Sequence, residues 1–178
     1  PATKGFEVGS GLNVHPVREG LVPLTLHDED KTRLAPLSGI AFDSTVSCPQ
    51  QSFHENCLIT HRGLSGPAIL QISSYWQAGQ PITINCLPGM DLSHELKNQQ
   101  SSQAVKSYLA QYLPKRFLEA HLPEELLRKP LRQLHEKECI ALGKKMHTWT
   151  LKPNGTEGYR TAEVTLGGVD CHDLSSKT

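Results

Sequence analysis

A chain of 178 residues is long enough to bury roughly two-thirds of its unfolded surface around one core, so it needs no disulfide staple. Lysine plus arginine and aspartate plus glutamate number 18 each, giving zero formal charge; this implies no basic face and leads to the expectation of no nucleic-acid partner. No apolar run reaches the roughly 18 residues of a membrane span and the N-terminus lacks signal-peptide regions, so a cytoplasmic protein without a membrane partner is expected.

In chain order, residues 21–26, 40–42, 53–60 and 82–87 are short runs of branched and aromatic residues bounded by Gly, Pro, Ser and Asp, and they predict strands. One helix interrupts them. Ser65 is placed to cap it, Gly66 and Pro67 follow, and Ala68, Ile69, Ile72, Tyr75 and Trp76 recur at helical spacing until Gly79. From Asp91 to Met146 glycine becomes scarce, and Val105, Leu109, Tyr112, Leu127, Leu131 and Leu134 follow three- and four-residue steps. Several short helices are expected there, with Asp91, Ser101 and Pro123 at caps or first turns. Residues 148–151, a Pro153-Asn154-Gly155 turn and a strand from Tyr159 to Leu166 then return to β character.

This order predicts an α+β fold: a small antiparallel β-barrel with an inserted helical subdomain, since the late strands can pair with the early ones. The expected division is 1–90 for the first part of the barrel, 91–146 for the helical insert and 147–178 for the closing strands. Five cysteines, Cys48, Cys57, Cys86, Cys139 and Cys171, form an odd set without a C-x-x-C pair and are expected to be free thiols.

Two stretches stand out. In Thr60-His61-Arg62-Gly63-Leu64-Ser65-Gly66-Pro67, glycines frame a serine where a strand turns into a helix, gathering backbone N–H groups able to hold an anionic or carbonyl oxygen. The same residues also serve as a plain turn and cap. A hydrolase built on Ser65, with His61 as base, is the weaker alternative, because Pro67 breaks the G-x-S-x-G pattern. In Gly158 to Val169, the pair Gly167-Gly168 ends an apolar strand and lets backbone approach a flat ligand, or simply turns. His135 and Cys139 share a helix face, but two ligands do not make a metal site, and none is expected. There is no G-x-G-x-x-G loop to cradle a pyrophosphate.

At these stretches the sequence resembles the bacterial YhiN/BaiN-like NAD(P)/FAD-dependent oxidoreductases. The likeness is carried by Leu21-Val22-Pro23-Leu24, Thr60 to Leu70, Leu113-Pro114-Lys115-Arg116, and Gly158-Tyr159 with Ala162 to Val169. It implies a translation-factor-like barrel with a helical insert, taken from the middle of a longer flavoprotein whose FAD-binding domain is the expected partner. It further implies a substrate-side domain shaping the chamber over the flavin, with FAD in the full-length parent and NAD(P)H as donor. Gly63, Ser65, Gly66, Thr165, Gly167 and Gly168 become the cofactor-side residues, and His61 and Glu163 the side facing a small-molecule substrate. The two groups are expected to meet on one face of the barrel. Residues 165–168 also resemble the flavin-facing strand of fumarate-reductase-type flavoproteins, but Glu163 stands where those carry a histidine, so fumarate chemistry does not transfer. A stand-alone small-barrel binding module is the other reading.

Overall fold

A strand that changes partner in mid-course closes the sheet of this protein. The computed structural model describes residues 13–170. Seven strands, β2 (Leu24–Leu26), β3 (Ala41–Ser47), β4 (Ser52–Ile59), β5 (Gly63–Ser65), β6 (Ile82–Asn85), β7 (Trp149–Leu151) and β8 (Pro153–Thr156), form one antiparallel sheet in the order β7-β6-β3-β4-β5-β2-β8. Only Lys152 separates the two end strands. One continuous stretch therefore pairs with β6 in its first half and with β2 in its second, and the sheet returns on itself as a barrel. Side chains alternate across it: Phe42, Ser44 and Val46 of β3 point inward, as do Ile82 and Ile84 of β6.

The expected turn at Pro153-Asn154-Gly155 is thus a strand. Pro153 opens β8, a position where its missing N–H costs the ladder little, and pairing with β2 overrides the turn preference of Asn154 and Gly155. The expected helix cap is also shifted. Ser65 ends β5, Gly66 at φ 87° is the cap of α2 (Pro67–Ser73), and the helix stops well before Gly79. A further helix, α1 (Asp28–Leu34), has three acids in its first turn and buries Leu34 over the barrel.

Between β6 and β7 lie α3 (Leu92–Lys97), α4 (Val105–Leu109), α5 (Lys115–His121), α6 (Glu124–Arg128) and α7 (Glu136–His147). Asp91 caps α3, its carboxylate accepting from His94 N–H at 3.1 Å. The helices and barrel share one continuous core, running from Leu24 and Ile59 to Phe117, Leu142 and Met146. His147 joins them: its Nδ1–H donates to Asn85 Oδ1 (2.9 Å) while its Nε2 accepts from Leu92 N–H (3.2 Å). Cys57, Cys86 and Cys139 are buried free thiols, Cys48 is a half-buried one, and Cys171 lies outside the described residues.

The last two strands stand apart. β1 (Val14–Gly20) and β9 (Val164–Val169) form a separate antiparallel ribbon. The expected strand from Tyr159 begins only at Val164 and continues through both glycines. The register slips between His15 and Arg18, and opposite that bulge a Cβ on Gly167 (φ 85°) would lie 2.3 Å from the Pro16 carbonyl oxygen, which explains the glycine. Where the ribbon joins the barrel, Leu21 adopts φ 47°, left-handed backbone that costs a non-glycine residue about 1–3 kcal/mol. Hydrogen bonds on either side hold it: Val22 N–H donates to Ser73 Oγ (3.0 Å) and Glu163 N–H to the Leu21 carbonyl (3.2 Å).

Candidate functional site

Gly63 and Ser65 lie within the barrel sheet, paired to β2 and β4. A Cβ on Gly63 would come within 2.3 Å of the Leu24 carbonyl oxygen, and one on Gly66 within 2.7 Å of that of Asn56. Neighbouring strands therefore fill the space over both glycines. The Gly63 N–H expected to face a ligand donates instead to Thr60 Oγ1 at 3.1 Å. His61 is exposed and Ser65 half-buried. Glu163, Thr165, Gly167 and Gly168 sit on or beside β9, in the other sheet, and a Cβ on Gly168 would meet nothing within 4 Å. Among the described residues no hydrogen bond or ion pair joins the two groups.

A different place concentrates chemistry. Where α1, α5, α7 and β7 meet, a cleft of about 480 Å³ is lined by Arg33, His121, Lys144, Lys145, Trp149 and small or apolar neighbours. None of its lining residues is acidic, whereas three other clefts include Asp28, Glu119 with Glu124, or Glu19. Lys144 and Lys145 occupy the last turn of α7, where cations suit the negative end of the helix dipole, and Thr148 Oγ donates to the Lys144 carbonyl at 2.7 Å to close that end. Among the described residues neither lysine has a carboxylate partner; Arg33 pairs with Asp30 at 2.7 Å across a solvated surface, a weak tie.

The floor is aromatic. His121, last residue of α5, stacks on Phe117 (centroids 4.4 Å apart) and meets Trp149 edge-on (4.5 Å). Burial, reinforced by the positive charges of Lys145 and Arg33, pushes its pKa down to about 4, so its imidazole is neutral at pH 7. The Trp149 indole N–H is buried, with no acceptor among the described residues. A neutral, flat floor beneath three cations suits an anion that carries an aromatic group. Reading the sequence by net charge missed this place, and its one local signal was the adjacent pair Lys144-Lys145 at a helix end. Among the described residues no group of three or more His, Cys, Asp or Glu side chains is placed to hold a metal ion, and no helix is long and apolar enough to cross a membrane.

Residues 18–164 match the family described as HI0933-like protein barrel and H2TH domain. The chain is 50% identical over 185 residues to a protein of Escherichia coli K12 named ribosomal RNA dihydrouridine synthase, covering 98% of this chain and 45% of that protein. A Haemophilus influenzae protein of the same name is 39% identical over 181 residues, with the same coverage. The chain thus spans a little under half the length of these curated relatives. These matches overturn the YhiN/BaiN-like oxidoreductase resemblance and, with it, the expected role as a substrate-side insert domain over FAD and the stand-alone and hydrolase alternatives. They also overturn the expectation of no nucleic-acid partner, since both relatives are named for ribosomal RNA. The physical reasons are plain. Gly63, Gly66 and Gly167 answer to backbone packing that any tight strand contact demands, and zero net charge says nothing of how the charges are distributed.

Proposed function

The chain belongs to the HI0933-like protein barrel and H2TH domain family, and from that premise we propose that it is the RNA-holding part of a ribosomal RNA dihydrouridine synthase. The observation that carries this reading is the acid-free cationic cleft between barrel and helices. Phosphate backbones are bound chiefly by lysine and arginine free to exchange their counterions, and among the described residues Lys144 and Lys145 have no carboxylate partner. A location in the cytoplasm, with the ribosomal RNA, belongs to the same proposal.

Making dihydrouridine saturates the uracil C5–C6 bond, adding two electrons and two protons, and a flavin recharged by NAD(P)H supplies that hydride chemistry when bound. The glycines expected beside a flavin do not fit as its seat: neighbouring carbonyls fill the space over Gly63, Gly66 and Gly167, and of these four only Gly168 is open. On this reading the chain binds and orients RNA while the reducing group is held elsewhere in the protein. The test is nucleoside mass spectrometry of ribosomal RNA from cells with and without the gene, together with filter binding of ribosomal RNA by this chain. The reading predicts loss of a dihydrouridine on deletion and salt-sensitive binding. Unchanged dihydrouridine, or retention of RNA no better than by a neutral control protein, refutes it.

A further inference from the structure

The cleft has a shape and composition that plain phosphate binding does not require. Its about 480 Å³ falls in the range of small-ligand sites, roughly 300–1,000 Å³, enough for one nucleotide and too little for a helical groove. The cations approach from two sides, Arg33 on α1 and Lys144 with Lys145 on α7, while Leu34, Ala120, Ala141 and Trp149 supply apolar wall. Backbone phosphates alone need no such wall. A base does, because it is flat, aromatic and edged with hydrogen-bonding groups, and single-stranded RNA is recognised by splaying such bases onto aromatic and imidazole side chains.

We propose that the cleft between α1, α5, α7 and β7 is a subsite for one unpaired nucleotide, its phosphate among Arg33, Lys144 and Lys145 and its base against the His121–Trp149 floor. The proposal rests on the RNA reading above and deepens it. The neutral imidazole of His121 has one nitrogen that donates and one that accepts, and among the described residues neither is engaged in a hydrogen bond. A charged imidazole would add a fourth cation and favour phosphate alone. The neutral one instead suits a base edge or a ribose hydroxyl.

The indole N–H groups of the chain's two tryptophans provide the test, with a control built in. Trp76 donates to the Gln80 carbonyl at 2.8 Å and is outside the cleft lining, while Trp149 has no acceptor among the described residues. In ¹H–¹⁵N spectra of the 178-residue chain, titration with uridine 5′-monophosphate is expected to move the Trp149 signal and leave that of Trp76. Inorganic phosphate and uridine, each offering half of the ligand, are expected to bind at least about fivefold more weakly. Lys144→Glu and Lys145→Glu, at exposed positions that leave the fold intact, should each weaken the monophosphate by up to about fivefold with little effect on uridine. Monophosphate binding no tighter than phosphate, or equal shifts at both tryptophans, overturns the subsite. Filter binding of ribosomal RNA on the same sample separates the two failures. RNA held without a monophosphate response removes the subsite and leaves the RNA reading standing; no RNA binding removes both.

Discussion

The cleft and the β1–β9 ribbon both carry charge at the surface, but they use it differently. In the ribbon, Arg18 donates to the Ser73 and Ser74 carbonyls at the end of α2, Glu19 accepts from Thr156 Oγ, and His15 lies 3.2 Å from Asp170. The hydrogen bond from Thr156 holds the Glu19 carboxyl below its ordinary pKa. These groups fasten the ribbon to the barrel and to itself. In the cleft, Lys144 and Lys145 pair with no carboxylate among the described residues, and the aromatic floor beneath them is tied into the core through Phe117. Charges engaged inside a protein maintain its shape, whereas charges without partners on a rigid floor are available to a ligand.

The comparison breaks most visibly if the floor is removed. Phe117 is fully buried, stacks on His121 and meets Phe42 at a tilt, so Phe117→Ala should cost about 3–5 kcal/mol in urea denaturation and release His121 toward an ordinary pKa by NMR titration. Unchanged His121 titration would mean that the floor does not depend on this contact. A pH scan is next in size. The unfolded imidazole takes up a proton near pH 6.5, whereas the folded one refuses it until about 4, so the unfolded state binds more protons between those values. The contribution is whole above pH 6.5 and is lost as pH falls toward 4, up to about 3 kcal/mol. His147, also lowered by burial, acts in the same direction, so His121→Phe should flatten only part of the slope.

The ribbon offers the matching perturbation. Gly167→Ala forces a Cβ to 2.3 Å from the Pro16 carbonyl in left-handed backbone and should cost about 1–3 kcal/mol, leaving ribosomal RNA binding unchanged once the protein is folded. Loss of RNA affinity in that variant would move the interface to the ribbon. Smallest in energy is the double change Lys144→Ala with Lys145→Ala. It should leave the melting curve in place, weaken ribosomal RNA about tenfold and reduce the salt slope of binding by about two, while Arg18→Ala leaves both RNA readouts alone.

Particular residues show how far the sequence could be read. Ile82, Ile84, Trp149 and Leu151 declare barrel strands by their period, and Asp91 and Pro123 mark helix starts where the chain has them. Helix α1 was missed because DEDKTRL has a single buried apolar residue and so no stripe to detect. β8 was missed because Asn154 and Gly155 favour turns locally, and only the neighbouring β2 makes them a strand. The glycines drew attention to flavin chemistry, yet what they answer at Gly63, Gly66 and Gly167 is a carbonyl from a neighbouring strand or bulge.

The sequence by itself determined the α+β class, the antiparallel strands and the helical run between β6 and β7, because side-chain period and capping chemistry act over a few residues. Only the tertiary structure decided that the barrel closes through a strand bent at Lys152, and that Arg33, His121, Lys144, Lys145 and Trp149 line one cleft. Those residues come from four elements spread along the chain, so nothing in their local spacing records their meeting. Net charge is a sum over all of them and discards position, whereas a binding site depends on which charges the fold leaves side by side without partners.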